Sequence, residues 1–187
     1  MSYGCTPIIK HHYAMERNII FHSKKEYISF IKKKYPSIWT CFIQLDSVSH
    51  FQFIQHELIN QPFPIYWGCY LNDSTKFNHS DILTENPSCL GRIEKEIVNN
   101  LRESILGKES FIPGTNVSSY HFKYLCSGIE YRLEDKPHSI HIFLLYTSKL
   151  GSYYDGIYKK IIDWQSKYEG IANFFIISID PLYHFQD

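Results

Sequence analysis

Hydrophobic and polar positions follow two different periods along this chain, and each change of period marks an element. Residues 1–17 show no clear period and read as an irregular lead-in, and Asn18 to His22 is a short β-prone run. Ser23-Lys24-Lys25-Glu26 has the form of a capping box, with Ser23 as N-cap and Glu26 at the third helical position. The helix it opens carries Tyr27, Ile28, Ile31 and Tyr35 on one side and lysines on the other, and Pro36 stops it. Ile38 to Leu45 reads as a buried strand ending at Asp46. Asp46 or Ser47 caps a second helix in which Phe51, Ile54 and Leu58 recur at helical spacing, closed by Pro62 and Pro64. Ile65 to Leu71 is the next strand.

Residues 72–89 are polar and form the longest predicted loop, a place for an insertion or a flap. Leu90, Ile93, Ile97, Leu101 and Ile105 make a helical stripe that Gly107 ends, and residues 108–119 are a loop around Pro113-Gly114. In Gly128 to Tyr146, two β-prone runs flank Asp135-Lys136-Pro137, which predicts a β-hairpin whose first strand starts as early as Tyr120. Its second run, Ser139 to Tyr146, is the most continuously hydrophobic strand and is expected at the sheet centre. A last helix presents Tyr154, Ile157, Ile161, Trp164 and Tyr168 along one face, Gly170 ends it, and Phe174 to Ile179 is the last strand. The order β-α-β-α-β-loop-α-β-β-α-β predicts an α+β fold. Its central sheet is expected to be largely antiparallel, of five or six strands, with about four packed helices; a more parallel α/β arrangement stays open. No linker or repeat interrupts 1–187, so one domain is expected.

Composition narrows the function. Nineteen basic and nineteen acidic residues cancel, so attraction to nucleic acid must come from a local patch. Lys24, Lys25, Lys32, Lys33 and Lys34 on one helix are the clearest candidate, although such a run is also what a solvated face looks like. The five cysteines (Cys5, Cys41, Cys69, Cys89 and Cys126) are odd in number, widely spaced and without a CxxC pair, which suits a reducing cytoplasm. Neither a signal-like apolar segment nor an 18-residue apolar run occurs, so no membrane span is expected. Walker A, GxGxxG, HExxH and GxSxG patterns are all missing.

Two constellations carry candidate chemistry. Glu134, Asp135, His138 and His141 are the densest set of metal-ligand types, and paired strands would bring Glu134 close to the histidine-bearing strand, a site for a hard metal. The same residues also fit a turn-capping His138 and a satisfied core His141. Tyr154 and Tyr158 share a helix face, with Lys159 and Lys160 beside them. A tyrosine can attack a phosphodiester that a metal polarises, and a lysine can stabilise the phosphate charge. Tyr154 in the same pattern also reads as core beside Ile157, Ile161 and Trp164.

Several disconnected pieces of the chain resemble the inovirus-type replication-protein family of filamentous phages and prophages, the group that includes the YagK/YfjJ C-terminal domain. The pieces are Leu45-Asp46, Gly128-Ile129-Glu130-Tyr131-Arg132-Leu133-Glu134, Ser139-Ile140-His141-Ile142-Phe143-Leu144-Leu145, and Ile161-Ile162-Asp163-Trp164. The resemblance implies a cytoplasmic, rolling-circle-initiator-like protein of phage or prophage origin acting on single-stranded DNA. It further implies a divalent metal on the His-hydrophobic-His strand and a helix tyrosine that nicks the DNA. Joined to the residues read above, the expectation is Mg²⁺ or Mn²⁺ held by Glu134 and His141, with His138 as a third candidate, or a site that has decayed; Tyr154 or Tyr158, which no family motif anchors, is the nucleophile, with Lys159 and Lys160 at the DNA. The chain departs from the family at the first histidine of the His-hydrophobic-His strand, where Ser139 stands; His138 is one place off and faces the other way in a regular strand. The departure favours a second expectation, a non-enzymatic immunity or regulatory protein that binds a protein partner through an aromatic-rich surface.

Overall fold

A computed structural model describes residues 20–58, 66–70, 75–77, 111–113, 116–133, 140–150 and 153–182. The first helix, α1 (Lys24–Lys34), starts where its cap directs. The Ser23 hydroxyl accepts from the amide of Glu26 at 3.1 Å, and the Glu26 carboxylate reaches back to the amide of His22 at 2.9 Å. The box thus closes one residue earlier than its usual form, and Lys32, Lys33 and Lys34 in the last turn complement the helix dipole. A 3₁₀ turn, Trp39–Cys41, leads into β1 (Phe42–Leu45), so the expected strand from Ile38 is half turn and half strand. Asp46 caps α2 (Ser47–Phe53) by accepting from the amide of Ser49 at 2.7 Å, and a π turn, Ile54–Leu58, follows. Ser49, His50 and Phe53 are the buried residues of α2; Phe51, expected on the inner stripe, is exposed.

The remaining elements are β2 (Tyr66–Tyr70), β3 (Thr75–Phe77), β4 (Phe111–Pro113), β5 (Phe122–Tyr124), β6 (Ile140–Tyr146), α3 (Tyr153–Lys167) and β7 (Ala172–Ser178). β3 and β4 lie within stretches expected to be loop. The strands form one seven-stranded sheet in the order β4-β3-β2-β6-β7-β1-β5. β6, β7 and β1 run parallel, while the pairs that flank them are antiparallel, so the sheet is mixed and its centre is parallel. The cause is α3: a helical crossover returns the chain to the starting end of the sheet, so β7 can only run alongside β6 in the same sense.

The expected hairpin does not form. β6 pairs with β2 and β7, and the stretch before it folds back on β5 instead, with a bridge between Lys123 and Glu130. The central place expected for β6 is the one it holds, fourth of seven, and all seven of its residues are buried. Helices α1 and α3 cover one face, where Ile140, Ile142, Leu144 and Tyr146 meet Tyr27, Ile31, Tyr35, Tyr154, Ile157, Ile161 and Trp164. The opposite face holds Phe143 and Leu145 against Phe53 of α2 and Val117, Tyr120 and Tyr131. A strand covered on both sides needs no polar alternation, which is why IHIFLLY is almost uniformly apolar. Each large apolar side chain in it contributes about 1.5–3 kcal/mol by leaving water.

Gly170, with φ of 76°, closes α3 in the left-handed conformation that glycine adopts without strain. No helix among the described residues is long and apolar enough to cross a membrane. The helix expected over Leu90 to Ile105, the lead-in 1–17 and most of the loop 72–89 lie outside the described residues.

Candidate functional site

β6 carries His141 at an odd position of its alternation, on the face opposite α1 and α3. Its imidazole is fully buried. The Nδ1 atom lies 2.8 Å from the Tyr131 hydroxyl, and the ring stacks on Phe175 (5.7 Å between centroids, 10° between planes) and on Phe143 (6.5 Å, 20°). Tyr131 is itself buried and meets Phe175 at 4.6 Å. A hydrogen-bonded imidazole among aromatic rings is the arrangement of a satisfied core histidine. Glu134 and His138, the other two expected metal ligands, lie outside the described residues, as does Asp135. Among the described residues, Tyr131, Phe143 and Phe175 stand against the His141 ring, and Tyr70 and Asn173 pair with His141 on the neighbouring strands. Among the described residues no group of three or more His, Cys, Asp or Glu side chains could hold a metal.

The expected nucleophiles lie across the sheet. Tyr154 is fully buried beneath α3, its ring 4.7 Å from that of Tyr146 and 5.5 Å from that of Tyr35. Its hydroxyl has no hydrogen-bond partner among the described residues, and burial first, then the neighbouring Tyr35 and Cys41, push its pKa well above the ordinary phenol value. The phenolate needed for attack is disfavoured there. Tyr158 is half-buried on the same side, 5.2 Å from Tyr35. Period-two alternation along β6 is what separates these tyrosines from His141: residues that touch α3 are even-numbered and His141 is odd. The structure therefore does not bring His141 together with Tyr154 or Tyr158.

The lysines are differently placed. Lys159 is exposed and Lys160 half-buried on α3, while Lys25, Lys32 and Lys33 are exposed on α1. The two helices are tied side by side by Lys34 and Asp155, 3.8 Å apart, and by Tyr35 against Tyr154 and Tyr158. Lys32 lies 5.0 Å over the Trp39 ring and Lys34 lies 5.6 Å over that of Phe30. The outer side of this layer thus interleaves lysines with half-buried aromatic rings.

A second group of charges occupies the other end of the sheet. Arg132 holds Glu130 at 2.9 Å, and His121 stands 3.9 Å from the same carboxylate. The Arg132 hydrogen bond and charge, helped by His121 and Lys123, hold the Glu130 carboxyl below the usual range. His121, Glu130 and Arg132 rim a cleft of about 220 Å³ whose inner wall is Val117, Phe122 and Tyr131. Behind it, Glu57 accepts from the Tyr120 hydroxyl at 2.9 Å and from the Trp67 indole at 2.8 Å, which pins the π turn to the sheet. Sequence reasoning singled out neither Glu57 nor Tyr131 as a partner, because both contacts are tertiary and leave no local pattern.

The described tyrosines divide between the core and its margin, where Tyr124 and Tyr158 are half-buried. Tyr27, Tyr35, Tyr70, Tyr120, Tyr131, Tyr146, Tyr154 and Tyr168 are all core residues, and the described exposed large apolar side chains are Ile20, Val48, Phe51, Ile129 and Ile171. No family model, no curated protein and no solved structure matches the chain.

Proposed function

We propose that the chain is a replication-initiator-like, phage or prophage DNA-binding protein that holds single-stranded DNA along the outer side of α1 and α3. The observation that carries this reading is the charge of that layer. α1 has five lysines and one glutamate, and α3 has three lysines and two aspartates, on a chain with no net charge. Lysines neutralise phosphates, and half-buried rings at the same surface (Trp39, Phe30 and Tyr158) offer faces on which bases stack. Lys159 and Lys160 belong to this surface.

Metal-assisted tyrosine nicking would be a finer form of this reading, and binding alone is proposed. Cutting would need a tyrosine on the same side of the sheet as a metal held by His141, and α3 puts both candidates on the other side. The test is fluorescence anisotropy of a labelled oligothymidine titrated with the protein at low and moderate salt. Binding that weakens with salt and with lysine reversal on α1 is expected; equal binding by the charge-reversed protein would sink the proposal.

A second reading, a non-enzymatic protein that binds a protein partner, is favoured by one observation. Val48 and Phe51, three apart on α2, are 65% and 62% exposed. Large apolar side chains at helical spacing on an open face suit a protein contact better than a nucleic-acid one.

A further inference from the structure

β7 runs on past the strand beside it. It pairs with β6 from Ala172 onward, but its ladder with β1 starts only where Phe42 meets Ile176, so residues 172–175 lie beyond the start of β1. At both ends of the β6–β7 ladder the odd-numbered residues of the later chain face β6. The Ile171 carbonyl accepts from the Ile140 amide at 3.0 Å, and the Ile179 amide donates to the Tyr146 carbonyl at 2.9 Å. Peptide groups of successive strand residues point to opposite edges, so the N–H and C=O of Phe174 are aimed at the β1 side. The chain that would extend β1 to meet them has turned away. Its Cys41 amide donates to the Ile38 carbonyl at 2.9 Å and its Phe42 amide to the Trp39 carbonyl, both within the 3₁₀ turn.

The gap is an open cleft of about 310 Å³, room for one planar ring system. Thr40 enters it from the turn, half-buried Tyr124 from β5, Gln165 from α3, exposed Glu169 from the turn after α3, and Asn173 and Phe174 from β7. Gln165 and Glu169 are four apart, the spacing at which side chains share a helix face. The Gln165 amide nitrogen donates to the Cys41 sulfur at 3.0 Å, so its carbonyl is the end left to offer a ligand. With the Glu169 carboxylate, this wall presents acceptors, and no lysine, arginine or histidine is among the described lining residues. A carboxylate repels phosphate, so a nucleic-acid strand can enter only by a base. Thr40 directly follows Trp39, whose ring lies 5.0 Å beneath the Lys32 ammonium, so the cleft opens one residue from the lysine-and-ring surface of the helical layer.

We propose that this cleft takes one unstacked guanine of the bound strand, an inference that rests on reading the α1–α3 layer as a single-strand-binding surface. Guanine presents two donors side by side, N1–H and the exocyclic amine, and a carboxylate accepts both together. Thymine presents a single donor between two carbonyls, which the Glu169 carboxylate and the Gln165 carbonyl oppose. The Phe174 N–H, aimed into the gap, supplies the donor that guanine O6 needs, and Tyr124 gives an aromatic wall. The lysines then hold the strand whatever its sequence, and the cleft adds a preference for one base.

The test is fluorescence anisotropy at fixed salt with labelled oligothymidine and with the same oligomer carrying one central guanine, inosine, adenine or cytosine. The guanine oligomer is expected to bind about ten-fold tighter than oligothymidine, and inosine, which lacks the exocyclic amine, should lose most of that gain. Glu169→Gln should keep its fold by circular dichroism, and its ratio of oligothymidine Kd to guanine-oligomer Kd should fall to near one. Lys32→Glu combined with Lys33→Glu should weaken both oligomers by the same factor and keep the ratio. Oligothymidine binding with no gain from guanine, or a guanine preference that survives Glu169→Gln, would overturn the cleft assignment and leave the lysine surface standing. No binding of any oligomer would overturn the single-strand reading and this inference with it.

Discussion

The Tyr131 hydroxyl and Nδ1 of His141 meet at 2.8 Å inside a wall of aromatic rings closed to solvent. The phenol comes from the segment that folds back on β5 and the imidazole from the central strand, so this one hydrogen bond ties an edge of the sheet to its middle. In a low-dielectric interior such a bond contributes a modest net stabilisation when made and costs more when one partner is removed.

Tyr131→Phe removes the hydroxyl that meets His141 Nδ1 and is expected to cost about 1–3 kcal/mol in urea unfolding. A double-mutant cycle with His141→Phe should show coupling, because the two substitutions remove the two ends of one buried contact. With His141 acting as core, millimolar Mn²⁺ should leave the unfolding midpoint of the wild-type protein where it was. A rise in the midpoint that disappears in His141→Phe would instead mark His141 as a ligand.

Tyr154→Phe removes a buried hydroxyl that has no hydrogen-bond partner among the described residues. Stability is expected to stay level or rise by up to about 1 kcal/mol, since the desolvation penalty of the group goes with it. Tyr154→Ala empties the space between α3 and the sheet and should cost about 3–5 kcal/mol. Wild type and Tyr154→Phe should behave alike on labelled single-stranded DNA with Mn²⁺ in denaturing electrophoresis. A covalent adduct present in the first and absent from the second would make Tyr154 the nucleophile.

Lys32→Glu combined with Lys33→Glu should weaken oligothymidine binding and flatten its salt dependence by about 0.7 in logarithmic slope for each phosphate that is no longer neutralised. Lys123→Glu, on β5 away from the helical layer, serves as the control and should bind like wild type. Equal weakening in both proteins would mean that overall charge, not the α1–α3 face, governs the interaction.

Glu130 gives a pH-dependent effect whose sign follows from its partners. Its folded pKa lies below the unfolded value because Arg132, then His121 and Lys123, favour the carboxylate. Its stabilising contribution is therefore present above the unfolded pKa and is lost as pH falls through the folded one. The residue is solvent-exposed, so the effect is small and salt should diminish it. Carboxyl-detected NMR should show Glu130 titrating below the ordinary glutamate range, and Arg132→Ala should return it towards that range. An unchanged titration in the variant would exclude the guanidinium as the cause.

Local physics made some of this molecule readable and left the rest dark. The cap at Ser23 and the stop at Pro36 bracket α1, and the stripe from Tyr154 to Trp164 is the buried side of α3, since capping and amphipathic period act over a few residues. β6 could be placed at the centre because only a strand covered on both faces tolerates so apolar a run. The direction of its neighbours could not be read. Asp135-Lys136-Pro137 looks like a hairpin turn whether or not the strands beside it pair, and β2 and β7 win the two edges of β6 through contacts distant in sequence. Phe51 failed for a related reason: α2 is a short helix whose burial is decided by Ser49, His50 and Phe53, with His50 bonding to the Ile179 carbonyl at 3.0 Å and the Ser49 hydroxyl accepting from the His121 amide at 2.9 Å. The candidate site suffered most, because which side of a strand a residue faces relative to a distant helix is set by the sheet order, and no motif encodes it.

The strand order also sets a schedule for folding. β7 lies between β6 and β1, yet it leaves the ribosome after both. Until it emerges, β1 and β6 are held one strand's width out of reach, roughly 10 Å apart, each with an open backbone edge. The nascent chain thus carries two sticky edges that nothing made earlier can satisfy. A stalled or clipped chain that stops before Ala172 is expected to be bound by chaperones or to aggregate, while the thirty described residues from Tyr153 to Leu182, arriving last, convert two half-sheets into one cooperative unit.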